Sequence, residues 1–335
     1  MKNSPLISVV MPVFNSERYL AQAIESILDQ TFSDFEFLIF DDGSTDGSAE
    51  IIESYAVKDP RILAKFSPMN MGYVTHLNDG IVLARGSYLA RMDSDDVALP
   101  RRLEVQKEFL DRHPGIGVVG SSSIRMDEDG RELGLSKRHA APSYLFWQSF
   151  FTNPMAHPTV MYRKTIFDSV EGYRESKIPA EDYDLWTRVL ASWHLANVEE
   201  PLLKYREHNN SVSVLRREMQ LRNSRESLVA LWWDRLKIEI SGDEILFLKG
   251  YHKGYDDLPP EMAYTLFHKI RLLRREVFTR FNDVDSQVQE DFFKRCIYLA
   301  SKTRKKSRLE FNRLVGSLFV HCPFFMIRYL VYGRV

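Results

Sequence analysis

The first hundred residues alternate short apolar runs with segments of helical periodicity. The apolar runs are Leu6–Val13, Phe35–Phe40, Ile62–Phe66 and Tyr88–Met92. Ser16 is expected to cap the first helix, since serine is a preferred residue at that position. Parallel strands need such crossover helices, which cover both faces of the sheet. The pattern therefore predicts an α/β fold with a Rossmann-like, mostly parallel sheet flanked by helices.

The fourth apolar run is followed at once by Asp93, Asp95 and Asp96. Carboxylates at the carboxyl end of a buried strand lie where open α/β sheets bind ligands. Closely spaced like charges repel each other unless a cation neutralises them, and hard oxygen ligands favour Mg²⁺ or Mn²⁺. Such ions usually arrive with a phosphate substrate. The plain alternative is an acidic loop that caps the helix beginning near Pro100.

A second polar turn, residues 41–47, follows the run Phe35–Phe40. Its spacing matches an EF-hand-like calcium loop at Asp42, Ser44, Asp46, Gly47 and Glu53. However, the residues that enter the turn read as a strand, whereas a calcium loop follows a helix. Two alternatives remain: Asp42 accepts hydrogen bonds from a uracil or ribose, or Thr45 or Asp46 caps the following helix.

Composition restricts the class of protein and the compartment. The chain has 335 residues and a net charge of −1, which gives no global attraction to nucleic acid. Its only cysteines are Cys296 and Cys322, so we expect no disulfide framework and a reducing compartment. The first apolar run is broken by Pro12, which disfavours a signal peptide, and no uninterrupted apolar stretch reaches about 18 residues. These features predict a cytoplasmic protein.

The amino-acid composition changes after about Ser213, where glycine and proline become sparse and charged helical segments follow. We therefore expect a catalytic domain over residues 1–215 and a helical C-terminal region over 216–335, which associates with a membrane or forms homo-oligomers. One interpretation is a solvated helical appendage. The other, which we favour, places Lys302–Arg308 on anionic lipid headgroups at the inner face of the cell membrane. The apolar residues at the interface would be Leu314, Phe319, Phe324, Phe325 and Tyr329.

Several motifs occur in an order that identifies a family. They are the strand Ser8–Phe14 with Pro12 and Asn15, a helix leading to Gln30-Thr31-Phe32, Asp41–Asp46, Asn70-x-Gly72, Asp93-x-Asp95-Asp96, and Glu181-Asp182 before Trp186 and Arg188. Each motif is modest, but their joint order and spacing are specific. Over about residues 5–215 the chain resembles the family 2 glycosyltransferases, which have the GT-A fold.

The resemblance implies a nucleotide-diphosphate-sugar donor at the carboxyl edge of the sheet. Pro12 and Phe14 would line the base pocket, and Glu17 would lie near the base or ribose. Asp42 would contact the uracil. Arg188 belongs to a motif that lines the active site in relatives, and we assign it to donor binding.

The resemblance also implies a divalent metal. Asp93 matches the first carboxylate of the D-x-D motif, near the ribose and the metal, and Asp95 matches the direct ligand of the metal that bridges the diphosphate. The stretch beginning Tyr205-Arg206 resembles the one that closes many of these domains. Its Arg206 or His208 is expected to contact the diphosphate or metal, and we include His208 among the metal ligands. The alternative is a solvated charged turn.

By the same resemblance, Asp182 matches the catalytic base of the family, and Glu181 stands beside it in the sequence. A neighbouring carboxylate and partial burial would raise the pKa of Asp182 and suit it to proton abstraction. The alternative for this pair is favourable interaction with a helix N-terminus. Trp186 is expected to line the site. His157 precedes a β-like run and is expected near the acceptor, although a lone histidine is often a packed or surface residue.

The sequence thus predicts an inverting, metal-dependent glycosyltransferase that moves a hexose or N-acetylhexosamine, with UDP as the expected nucleotide, to a hydroxyl of a glycan or lipid-linked saccharide. A sugar nucleotidyltransferase is disfavoured because Pro12–Asn15 lacks the Gly-rich basic loop that such enzymes carry after the first strand. A non-catalytic glycan- or calcium-binding module is the other alternative.

Overall fold

A computed structural model of the chain describes residues 4–208, 216–249, 259–303, 312 and 315–317. The chain divides into two compact units, one formed by Met1–Pro142 and Pro154–Ser224 and the other by Ser143–Asn153 and Arg225–Val335. Most of the residues predicted to contact a membrane lie outside these described ranges. They are Arg304–Arg308, Leu314 and the predicted residues from Phe319 onward. Across the described part of the chain, no helix combines the length and apolarity needed to cross a membrane.

The first unit is built on one sheet. Within residues 4–208 its strands are β1 (Ile7–Val13), β2 (Phe35–Asp41), β3 (Ile62–Phe66), β4 (Tyr88–Arg91), β5 (Val97–Ala98), β6 (Ile116–Met126), β7 (Glu132–Ser136), β8 (Met161–Arg163) and β9 (His194–Arg206). Their order is β3-β2-β1-β4-β8-β6-β9-β5, with β7 paired to β6. The strands β1 to β4 run parallel, whereas β8 is antiparallel to both β4 and β6. The predicted α/β fold with a mostly parallel sheet is confirmed.

Helices connect and cover these strands. They are α1 (Glu17–Leu28), α2 (Ser48–Lys58), α3 (Tyr73–Leu83), α4 (Arg102–Arg112), α5 (Pro142–Ser149) and α6 (Glu181–Val189). All seven residues of β2 are buried, as expected for a strand covered on both faces. The helix α1 buries its apolar stripe, including Ile24 and Ile27, against the same core, and each such side chain contributes roughly 2 kcal/mol.

The predicted cap of α1 is wrong. The Ser16 hydroxyl makes no capping bond and instead donates to the Phe14 carbonyl at 3.2 Å. The Asp46 carboxylate, from the turn after β2, accepts from the Glu17 N–H at 3.1 Å and so satisfies a donor of the first helical turn. The cap therefore comes from a residue distant in sequence, which links α1 to that turn.

The second unit is helical in its described part, with α7 (Arg217–Leu236) shared between the units, followed by α8 (Gly242–Lys249), α9 (Pro260–Arg280) and α10 (Ser286–Thr303). Its core includes a buried ion pair between Asp291 and Arg295. One oxygen of Asp291 accepts from both Arg295 Nε and Trp147 Nε1 at 2.7 Å. Contacts of this kind group residues 143–153 with this unit. The helical C-terminal region is present, and a domain boundary at residue 215 stays a prediction.

Candidate active site

A cavity of about 870 Å³ opens in the first unit where β1 and β4 end. Its lining includes most of the predicted site residues, namely Pro12, Phe14, Asp42, Asp93, Asp95, His157, Glu181, Asp182 and His208. These residues come from segments separated by up to nearly two hundred positions. The structure therefore brings the predicted donor, metal and base residues to one place.

An acidic cluster lies at the cavity, with Asp93 and Asp95 in the cavity lining and Asp96 buried next to them. Carboxylate oxygens of Asp93, Asp95 and Asp96 lie within 4.8 Å of one another. Burial raises the pKa of Asp96 well above its usual range, and repulsion by the other two carboxylates adds to the effect. Oδ2 of Asp96 is buried and has no hydrogen-bond partner in the described part of the chain. His208 Nε2 lies 2.8 Å from Asp95 Oδ2, and this hydrogen bond is the main cause of a raised His208 pKa.

Two buried arginines accompany these carboxylates. Arg91, the last residue of β4, forms a two-pronged ion pair with Asp93. Arg102 is fully buried and donates to the Val160 carbonyl at 3.4 Å and to the carbonyl of Arg91. Burial lowers the pKa of Arg102 to about 10. Sequence reasoning missed both arginines, although a charge inside the apolar run Tyr88–Met92 was a signal for the first.

The Asp42 carboxylate lines the cavity but is already engaged by protein groups. Its two oxygens accept from the backbone N–H groups of Met71 and Gly72 at 2.6 and 2.9 Å, and one of them lies 2.8 Å from His76 Nε2. Gly72 has a φ of +92°, which explains the glycine of the Asn70-x-Gly72 motif. Asp42 therefore fixes the loop after β3 at the edge of the cavity.

The alternative calcium loop finds no support in this geometry. The strand β2 leads directly into it. Besides the bond to Glu17, the Asp46 carboxylate accepts from the Ser48 N–H at 3.0 Å and so acts as a helix cap. Within the described ranges, one group of three potential metal-ligating side chains lies close enough together to hold an ion. It consists of Asp93, Asp95 and Asp96.

The candidate base lies in the first turn of α6, on another wall of the same cavity. Glu181 is 4% exposed and lies close to the Tyr73 hydroxyl. Burial, followed by the charge of Asp182, raises the Glu181 pKa to about 7. Asp182 is half-buried and lines the cavity. The pair thus consists of a more accessible carboxylate and a buried neighbour that titrates near neutrality.

His157 also lines the cavity and is neutral at pH 7. Its Nε2 lies 2.9 Å from the Tyr173 hydroxyl, and Nδ1 lies 3.8 Å from a Glu181 oxygen. Burial lowers the His157 pKa well below its usual range. The Trp186 ring meets the imidazole edge-on, with ring centres 6.0 Å apart.

Three predicted site residues do not line the cavity, namely Glu17, Trp186 and Arg188. The Glu17 carboxylate accepts from the Gly47 N–H and so joins α1 to the turn after β2. Trp186 is fully buried. Arg188 donates to Asp184 at 2.9 Å and to the Gly172 carbonyl at 2.8 Å. Glu17, which is exposed, and Arg188 thus hold neighbouring segments by hydrogen bonds, whereas Trp186 packs in the interior.

Comparison with known proteins assigns the family. The family model for glycosyl transferase family 2 matches residues 8–170. The Bacillus subtilis protein EpsE is 32% identical over 281 residues, which span 82% of this chain and 98% of that protein. This chain belongs to glycosyltransferase family 2. The Escherichia coli O-antigen biosynthesis glycosyltransferase WbnJ is 35% identical over 216 residues, covering 62% of this chain and 81% of WbnJ.

Solved structures show the fold of this family 2 glycosyltransferase. Staphylococcus aureus TarS in complex with UDP aligns with a TM-score of 0.56 at 18% identity, over 90% of this chain and 91% of that chain. The mannosyltransferase PcManGT from Pyrobaculum calidifontis, in complex with GDP-Man and Mn²⁺, aligns with a TM-score of 0.51 at 14% identity, over 91% and 87% of the two chains. The predicted family, the GT-A fold and the prediction of a glycosyltransferase enzyme are confirmed.

Sequence reasoning missed several cavity residues of this glycosyltransferase, among them Tyr19, Tyr73, Arg91, Glu128, Tyr205 and Gln220. Tyr73 carried a signal, since it directly follows the Asn70-x-Gly72 motif at the start of α3. Glu128 and Gln220 carried none, because a polar residue in a turn or on a helix is ordinary at the surface of a protein.

Proposed function

We propose that this glycosyltransferase moves a hexose or N-acetylhexosamine from a UDP-sugar to a hydroxyl of a glycan or lipid-linked saccharide, with inversion at the anomeric carbon. One observation carries the proposal: Asp93 and Asp95 of the acidic cluster border the same cavity as the Glu181–Asp182 pair, at the carboxyl edge of the sheet. A carboxylate cluster suited to a metal-bound diphosphate and a separate carboxylate suited to a base are the two requirements of this reaction. TarS, a structural neighbour, has been solved with UDP-GlcNAc.

The donor would enter along β1. Phe14 is 46% exposed and lies beside Pro12, so the two offer an apolar surface on which a base can stack. The acidic cluster suits Mg²⁺ or Mn²⁺, because carboxylate oxygens of its three aspartates lie within 4.8 Å of one another. Asp95, Asp93 and His208 would hold the ion. When bound, the metal would neutralise charge on the leaving diphosphate.

Asp182 would act as the base. It would take the proton of the acceptor hydroxyl while that oxygen attacks the anomeric carbon, and the bond from this carbon to the diphosphate oxygen would break as the new one forms. A single displacement of this kind inverts the anomeric centre and needs no covalent enzyme intermediate. The negative charge of an ionised Glu181 would lie close to the proton that Asp182 takes up and so would favour its transfer. The neutral His157, on the same side of the cavity, would contact an acceptor hydroxyl.

The relatives support a glycan acceptor, since WbnJ is named for O-antigen biosynthesis. We propose that the enzyme works in the cytoplasm at the inner face of the membrane, where it would meet a lipid-linked acceptor. The basic segment proposed to contact lipid headgroups lies mostly outside the described residues.

A hydrolysis screen tests the proposed function, because many transferases slowly hydrolyse their own donor when no acceptor is present. The purified chain is incubated with UDP-, GDP- and dTDP-sugars in the presence of Mn²⁺ or Mg²⁺, and nucleotide diphosphate release is measured. We expect release from a UDP-hexose or UDP-N-acetylhexosamine and its loss with a chelator. Release from a GDP-sugar alone would overturn the nucleotide assignment, and full activity with the chelator would overturn the metal site.

A further inference from the structure

Arg206, the last residue of β9, is an arginine whose side chain is enclosed by protein groups. The residue is 2% exposed and does not line the cavity. Its Nε donates to the Asp95 carbonyl at 2.7 Å, and Nη2 donates to Gln22 Oε1 at 2.8 Å. Its Nη1 donates to the carbonyls of Glu128 and Asp127 at 3.0 and 3.3 Å. All three guanidinium nitrogens are thus committed to the protein, which disfavours the predicted contact of Arg206 with a diphosphate.

These bonds join three segments that meet at the cavity. Asp95 belongs to the turn between β4 and β5, Glu128 to the turn between β6 and β7, and Gln22 to α1. The guanidinium also lies over the ring of Tyr19, 4.3 Å from its centre. Asp95, Glu128 and Tyr19 all line the cavity, so one side chain fixes three parts of its wall.

The backbone of Arg206 adds a fourth connection. Its N–H donates to Asp96 Oδ1 at 2.8 Å, so the main chain and the side chain of Arg206 hold adjacent members of the acidic cluster. His208, two residues further along, lies 2.8 Å from the Asp95 carboxylate. The end of β9 therefore sets the position of Asp95 at both its backbone carbonyl and its side chain.

We propose that Arg206 is a positioning residue that holds the turn around Asp95 so that the Asp95 carboxylate can bind a divalent cation, without contacting metal or nucleotide itself. The metal-binding part rests on the proposed function. Lysine cannot replace Arg206, because an ammonium group carries all its donors on one nitrogen. It therefore cannot reach all these acceptors or stack flat on Tyr19.

The test compares Arg206→Lys and Arg206→Met with the wild type. Hydrogen exchange is measured first, without any ligand, at the amides of residues 19–22, 94–97 and 127–130. We expect exchange at these amides to rise at least tenfold in both variants, while the amides of β2 stay as protected as in the wild type. Arg125→Gln is the matched control, because it removes an exposed ion pair with Glu207 next to Arg206 and leaves the three segments untouched.

Ligand binding separates positioning from a general structural role. With UDP present, the Kd for Mn²⁺ measured by electron paramagnetic resonance is expected to rise about tenfold in Arg206→Lys, while UDP binding without metal is unchanged. Loss of metal-free UDP binding would overturn the proposal by indicating direct nucleotide contact, and unchanged exchange in the three segments would overturn it independently. A wild type that binds neither UDP nor Mn²⁺ refutes the proposed function, and the exchange comparison still decides whether Arg206 orders the three segments. If Arg206→Met fails to fold, Arg206→Lys alone serves.

Discussion

Replacing Glu181 with glutamine should make the first unit more stable at alkaline pH while impairing transfer. Glu181 is buried beside Asp182, and burial raises its pKa from the usual value of 4.5 to about 7. The folded state therefore holds the proton more tightly than the unfolded state does. At a pH below the pKa of Glu181 in the unfolded state, the group does not lower the stability of the fold. The loss of stability grows as the pH rises from there through the pKa of Glu181 in the folded state.

The size of the effect follows from this difference. A shift of about 2.5 pH units corresponds to about 3 kcal/mol of lost stability at pH 8, where Glu181 is ionised in both states. At pH 5 the folded state is protonated and the cost is about 1 kcal/mol by the same relation. The amide of Glu181→Gln does not titrate and keeps an oxygen that can accept from Tyr73. The stability advantage of the variant should therefore grow by about 2 kcal/mol between pH 5 and pH 8.

Native-state hydrogen exchange at the β1 and β2 amides, followed against urea at both pH values, measures the opening free energy of this unit. Comparing variant and wild type at each pH cancels the other titrating groups. An advantage that grows by less than about 0.5 kcal/mol would refute the reasoning, since Glu181 would then titrate as an ordinary carboxylate. In kinetics, the wild-type rate should fall as the pH drops through about 7, and the variant should lose this inflection.

Other variants test the separate parts of the site. Asp182→Asn should lower the transfer rate by about 10² to 10⁴ while UDP binding, measured by calorimetry, is retained; a fall of less than about tenfold would exclude this base. Asp95→Asn should raise the Mn²⁺ concentration needed for half-maximal donor hydrolysis at least tenfold, and an unchanged metal requirement would remove Asp95 as a ligand. His157→Gln should leave the inflection near pH 7 in place, because burial keeps His157 neutral there; loss of that inflection would assign it to the histidine. Phe14→Ala should weaken UDP binding by about 1–2 kcal/mol through lost stacking, whereas equal affinity in the two proteins would exclude this contact.

The pattern of short apolar runs predicted which polar residues emerge at the carboxyl ends of the strands. The run Tyr88–Met92 marks a buried strand, and the residues directly after such a strand must emerge at its carboxyl edge. Asp93 and Asp95 therefore reached the cavity as expected. Phe14, just beyond β1, lines the same cavity for the same reason.

The sequence could not show which polar side chains form hydrogen bonds to neighbouring loops of the protein. Glu17 and Arg188 have the same chemistry as residues that bind a ligand, yet their partners are the Gly47 N–H and the Gly172 carbonyl. These partners become visible only once turns distant in sequence have been brought together. Similarly, the carboxylate of Asp42 reaches the cavity but is occupied by the loop after β3.

The extent of the catalytic unit depends on contacts of this long-range kind. The family model ends at residue 170, whereas the candidate base, Asp182, lies beyond it. The segment just before that base is held by α7, because Gln220 Nε2 donates to the Pro179 carbonyl at 3.2 Å and Asn223 Nδ2 donates to the Ile178 carbonyl at 2.7 Å. A chain ended at residue 215 would lose both bonds and leave two carbonyls beside the base without these donors. The first two turns of α7 therefore belong to the first unit, although their sequence reads as the start of a separate helical region.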